Sequence, residues 1–198
     1  FRAMKYYMAP VLNTSKIDDM PEIKAIYLTL FNYAAIENVD LFGPLTYYDN
    51  KGNFDGSSFE YDRVKDIYYQ VKADIDAAIE CFKYYKDHRS EAYKKQIGSA
   101  IGNYVMLLSS YDIDYSDLSV WIRFANSLKL RMAIHMSKVE PATAKQWAEE
   151  AVAGGVIENE ADEIGLFPSL LGGTHQLAEI TGWNDIVMGA SFINLLQN

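Results

Sequence analysis

The side chains in this chain that could bind or transform a ligand gather in few places. Residues 42–62, FGPLTYYDNKGNFDGSSFEYD, interleave aromatics with amides and carboxylates. Asp49, Asn53, Asp55 and Glu60 fall at a spacing close to that of an EF-hand calcium loop. Lys51 at the third position and Phe54 in place of the sixth-position glycine break that pattern, so no metal is expected. The three histidines, His88, His135 and His175, are too far apart for a metal motif, and His135 reads as a core histidine with a satisfied ring. Asp74 and Asp76 are two residues apart on a helix and point about 200° from one another, so they read as surface charge rather than as a catalytic pair. Glu158, Glu160, Asp162 and Glu163 cluster where like charges face solvent. Nothing here assembles a nucleophile, a general base or a glycosidase carboxylate pair, and the expectation is a protein without catalysis or cofactor.

Composition narrows the class. With 198 residues the chain is long enough for one compact domain. Its hydrophobic share is 49% and its charged share 23%, as in a globular protein. No apolar run approaches the roughly 20 residues that span a bilayer. A net charge of -9 and the lack of a Lys/Arg stripe exclude nucleic acid as a partner. The lone cysteine, Cys81, leaves no internal disulfide. The surplus of tyrosine, 15 residues, suits polar core edges or a recognition surface.

Helices must position these residues. Val64, Ile67, Tyr68, Val71, Ile75, Ala78, Ile79 and Phe82 recur at spacings of three and four, which predicts an amphipathic helix over 61–85. A helix over 22–38 buries Ile23, Ile26, Leu30, Tyr33 and Ala34, with Pro21 in its first turn. A third covers 91–108, where Gly98 and Gly102 require close packing against a neighbour. Pro141 opens a short helix with a small-residue face, Ala144, Ala148, Ala151 and Val152, that Gly154-Gly155 ends. Residues 1–10 read as the tail of another helix, 156–183 as loop, and a last helix follows Asn184 or Asp185. No hairpin signal appears, so the class is all-α, with antiparallel helix pairs stacked in a tetratricopeptide-like manner and long irregular loops.

The segment WIRFANSLKLRMAIHMS, 121–137, is apolar on two sides and therefore sandwiched between neighbours. Asn126 projects between Leu130 and Ala133 and is expected to be buried, clamping the backbone of a packed loop. Ser127 faces the polar strip. The upstream acidic run holding Asp112, Asp114, Ser116 and Asp117 supplies the cap.

WIRFANSLKLRMAIHMSKVEPATAKQWAEEAVAGGVI resembles the SusD/RagB family, whose SusD-like branch carries a similar tryptophan-to-ANSL-to-arginine helix followed by an Ala-rich helix ending in glycine. LFGPLTYYDN is similar to the family's aromatic-glycine-proline-tyrosine loop, and DIYYQVKADIDAAIE to the helix after it. The likeness covers roughly residues 20–157, with a weaker echo at GWNDIVMGASFINLL. Family members are much longer, so residues 1–198 are expected to be a single helical domain that is an incomplete portion of a longer chain. The lipid-bearing N-terminal cysteine is absent from it, and Cys81, in mid-helix, cannot replace it.

The resemblance implies an outer-membrane, cell-surface lipoprotein, lipid-anchored, which binds oligosaccharide and passes it to a SusC-like TonB-dependent transporter. Some members serve transporters that take peptides, so a helical-repeat protein-interaction subunit is the alternative. Sugars present flat C–H faces and a rim of hydroxyls, and a glycan site needs aromatic platforms beside amides or carboxylates. Tyr47, Tyr48, Asp49, Asn50 and Asn53 meet that need in the first loop, and Trp183, between Gly182 and Asn184, is a second candidate. The alternatives are that Phe42, Pro44 and Tyr47 merely pin the loop, and that Trp183 is a buried wedge.

Overall fold

The computed structural model describes residues 14–53, 59–104, 114–159, 162 and 164. Among them the secondary structure is helical apart from an isolated bridge between Leu45 and Asp62 and a bridge residue at Ile164. The expected helices at 1–10 and after 184, and the loop over most of 156–183, lie outside the described residues.

After a short 3-10 turn at Ser15–Asp19, helix α1 runs over Pro21–Phe42. It opens on Pro21, whose missing N–H costs nothing in the first turn. It buries Ala25, Ile26, Phe31, Ala35, Ile36 and Val39 rather than a face centred on Leu30 and Tyr33. Tyr33 is exposed, and the polar Glu22, Thr29 and Asn32 are inside. A helix that mixes apolar and polar residues around its circumference gives periodicity little to select. What turns it is the pairing of its polar residues. Glu22 receives Arg89 Nε at 2.9 Å and the Tyr93 hydroxyl at 2.8 Å, and Thr29 bonds back to the Ala25 carbonyl at 2.8 Å.

The helix stops at Gly43, where φ is 82° and ψ is -137°, a backbone that side chains with a β-carbon avoid. The next segment is tied to the body by the two-way pairing of Leu45 with Asp62, at 2.9 and 3.4 Å. A π-helical turn over Asp49–Asn53 follows.

Helix α2, Val64–His88, keeps the expected face, with Ile67, Val71, Ile75 and Phe82 wholly buried. Val64 itself is exposed. Helix α3 is Glu91–Tyr104, and its two glycines do permit close approach. A β-carbon at Gly98 would stand 2.9 Å from the Ser116 backbone nitrogen, and one at Gly102 would stand 3.3 Å from the Tyr115 ring. Helix α4, Ser119–Met136, begins where Asp117 accepts the Ser119 N–H at 2.9 Å. Helix α5, Pro141–Ala153, buries Ala144 and Ala151 but also Trp147, with Val152 turned outward.

α1 packs on α2, α2 on α4, and α4 on α5, a succession of helix pairs like that of tetratricopeptide repeats. Two apolar clusters result. One joins α1, α2, α4 and α5 around Phe31, Ile67, Met132 and Trp147. The other joins α1, α2, α3 and the start of α4 around Ile26, Phe82, Ile101 and Trp121. A chain of ion pairs runs beside them. The buried Lys129 of α4 reaches Asp76 of α2 at 3.0 Å, and Lys72 bridges Asp76 at 2.5 Å to Glu150 of α5 at 3.1 Å.

Candidate functional site

The first loop is set by what its backbone can reach. Gly43 reverses the chain after α1, the Leu45–Asp62 bridge lays it against the start of α2, and the Tyr48 N–H is then held by Asp62 Oδ2 at 2.9 Å. This arrangement sends the two adjacent tyrosines different ways. Tyr47 is wholly buried, its ring 5.7 Å from that of Phe31, whereas Tyr48 stays partly exposed with its ring edge-on to Tyr47 at 5.5 Å. Tyr47 therefore sits in the core and offers no outer face, as the pinning role requires. Phe42 and Pro44 do not share that role, since both are exposed.

The Tyr47 hydroxyl lies 2.6 Å from Asn32 Oδ1 and 2.9 Å from Asp74 Oδ2. Asn32 Nδ2 donates to the same Asp74 oxygen at 3.2 Å, Gln70 Nε2 donates to Oδ1 at 3.1 Å, and the Lys51 ammonium closes the cluster as an ion pair with Asp74. Burial first, and then the Asp74 carboxylate, drive the Tyr47 hydroxyl far above the ordinary tyrosine range, so it remains a protonated donor. Asp74 is thus not the surface charge its spacing from Asp76 suggests. It faces α1 and the loop and gathers four side chains, because the loop brings a hydroxyl and an ammonium over that face of α2.

The other candidates divide likewise. Asn50 is buried and donates to the Thr46 hydroxyl at 2.7 Å. Asp49 is partly exposed and accepts the Glu60 N–H at 3.2 Å. Tyr48 reaches Gln70 Oε1 at 3.3 Å, and its hydroxyl is raised above the usual value by burial and by Asp62. Trp183 and the side chain of Asn53 lie outside the described residues, as does Asp55 of the calcium-like spacing. What the loop turns outward is therefore Tyr48 beside Asp49, on a base fastened at Tyr47 and Asn50.

Two other side chains sit where sequence reasoning did not put them. His135 is partly exposed rather than in the core and pairs through Nδ1 with Asp40 Oδ2 at 2.7 Å. Asn126 is buried, as expected, yet its Nδ2 finds no hydrogen-bond partner among the described residues. Its amide packs on Gly154, where an added β-carbon would lie 2.7 Å from Nδ2. The loop clamp is Ser127, whose Oγ accepts the Ile157 N–H at 2.9 Å. Cys81 is no activated nucleophile, since burial and then Glu22 push its thiol up to about 11.

Known proteins agree with this architecture. The family model described as SusD-like, Susd and RagB outer membrane lipoprotein, matches residues 3–198. A chitin-binding SusD homolog from Flavobacterium johnsoniae superposes with a TM-score of 0.63 at 27% identity, covering 81% of this chain and 31% of that one. A SusD homolog from Bacteroides uniformis gives 0.60 at 28% identity over 79% of this chain and 30% of that one. A SusD-like protein from Bacteroides thetaiotaomicron gives 0.58, also at 28%, over 75% and 28%. The chain thus spans less than a third of the length of these structures. The comparison with curated proteins finds no match. With stacked helix pairs, an anchored aromatic loop and a family match running over nearly its whole length, this chain belongs to the SusD-like family.

Proposed function

We propose that the chain is part of a non-catalytic surface lipoprotein that captures oligosaccharide and hands it to a SusC-like TonB-dependent transporter in the outer membrane. The observation that carries this reading is the asymmetry of the first loop. Tyr47 and Asn50 fix the backbone from beneath, so Tyr48 and Asp49 are presented without the ordering cost that a loose loop would incur on binding. A fixed ring beside a carboxylate suits a sugar's C–H face and hydroxyl rim. The chitin-binding homolog in Flavobacterium johnsoniae supports a glycan as the ligand class.

Calorimetry against a glycan panel tests the reading. Binding between millimolar and micromolar, on the order of 4–8 kcal/mol, is expected. Tyr48→Ala should weaken it about tenfold while Tyr48→Phe keeps most of it. A null response across the panel, or release of reducing sugar, would overturn the proposal.

One observation favours a protein-interaction role in a transporter for peptide or another nutrient. Leu41 and Phe42 at the end of α1, and Ile134 and Val139 at the end of α4, are exposed on one end of the helical layers. In that case the panel stays silent and the first loop is found packed against the partner.

A further inference from the structure

Beside the N-terminal half of α2, on the side facing the α4–α5 connection, lies a partly open groove of about 310 Å³, which reaches the lower end of the range of about 300–1,000 Å³ typical of small-ligand sites. Val64, Tyr68, Met136 and Val139 give it apolar lining, and Tyr69 completes the aromatic part. Tyr69 is 40% exposed yet cannot swing. Its ring meets Trp147 edge-on at 5.3 Å, Lys65 Nζ lies 5.4 Å from its centroid, and its hydroxyl donates to Glu140 Oε2 at 2.6 Å. An exposed aromatic locked from three directions has already lost the rotamer freedom that binding would remove.

The polar groups of the groove come as pairs. Lys65 meets Glu140 Oε1 at 2.7 Å, and His135 meets Asp40, which also holds the Tyr68 hydroxyl. None of these pairs exhausts its valence. An ammonium has three donors and a carboxylate about four acceptor sites. Lys65 can still donate into the groove, and Glu140 can still accept.

We infer that this groove is a second sugar subsite, selective for a residue bearing a short acylamino group, such as an N-acetylhexosamine. The inference rests on the glycan-binding reading proposed above. A plain hexose would set hydroxyls against Val64, Met136 and Val139 and strand them from water. A wholly apolar ligand would cover the Lys65–Glu140 pair without replacing its water. An acetamido group resolves both conflicts, placing its methyl on the apolar lining, its N–H toward Glu140 and its carbonyl toward Lys65. At the head of α2, Tyr61 and the groove-lining Val64 are both exposed.

The test uses the 198-residue chain with methyl-labelled methionine, titrated with the β1,4-linked trimer of N-acetylglucosamine and with cellotriose, which carries hydroxyls in place of the acetamido groups. The Met136 methyl, assigned through Met136→Leu, should shift with the acetylated trimer, and cellotriose should bind about tenfold more weakly. Val139→Asp and Lys65→Ala, both at exposed positions that the fold does not need, should each weaken the trimer about tenfold. If the trimer binds but Met136 stays still and both variants bind normally, the groove inference is overturned while the glycan reading survives through Tyr48. If no glycan binds the wild type at all, both readings are overturned.

Discussion

Tyr47 and Tyr48 are chemically alike and adjacent, yet only one of them is replaceable. Removing the Tyr47 hydroxyl leaves Asn32 and Asp74 short of a buried partner, so Tyr47→Phe should cost about 1–3 kcal/mol. Tyr48→Phe, at a partly exposed site, should stay within about 0.5 kcal/mol. Urea denaturation of the two variants checks the contrast, and equal losses would mean that the Tyr47–Asp74 contact is not the anchor. The aromatic loop itself was legible from its residues. Which ring turns inward was not, because that depends on a backbone pairing between Leu45 and Asp62, 17 positions apart, and on polar partners that local pattern assigns to solvent. Asp74 shows the difficulty best. Its neighbours in sequence mark it as surface, and only the loop folded over α2 makes it a hub.

At the scale of elements, legibility followed amphipathicity. α2 separates apolar from polar residues sharply, so its buried face could be read except at its first residue, the exposed Val64, and at the buried Tyr85, whereas α1 mixes them and its face came out rotated. α4 lies between. Its sandwiching and the burial of Asn126 follow from two apolar sides, but adjacent residues on a helix differ by only about 100°, and the clamp proved to be the next residue, Ser127. Ser127→Ala should free the Ile157 N–H, cost about 1 kcal/mol and loosen the chain that leaves α5. Amide hydrogen exchange at Ile157 should quicken, and unchanged protection there would show that the bond contributes little. At Asn126 the Nδ2 group finds no partner among the described residues, and the glycine that ends α5 packs on that amide.

For the molecule as a whole, α2 contributes to both apolar clusters, so neither can melt while the other stands, and a single transition is expected on heating. Alkali offers a sharper probe. Tyr47 and Tyr68 are held far above their usual value of 10.0, and Tyr85 and Tyr93 are pushed up to about 12, in each case chiefly by burial. A raised tyrosine contributes stability that is complete below 10.0 and is lost as pH climbs above it, because the unfolded chain releases those protons first. Stability should therefore fall from about pH 10 upward, with phenolate absorbance rising in two stages, the second coinciding with unfolding. A single-stage titration without loss of helix would contradict the burial of these rings.

Gly43 has one more consequence. Its angles of 82° and -137° are nearly the mirror image of polyproline II, which lies near -75° and +145°. The first loop is thus hung from a residue whose handedness is inverted relative to the helix it follows. An l-amino acid there has room for its β-carbon, with nothing within 4 Å, and is opposed by torsion alone. A d-alanine would meet no such opposition, and by narrowing the choices open to the unfolded chain it would hold the loop more firmly than nature's achiral solution does.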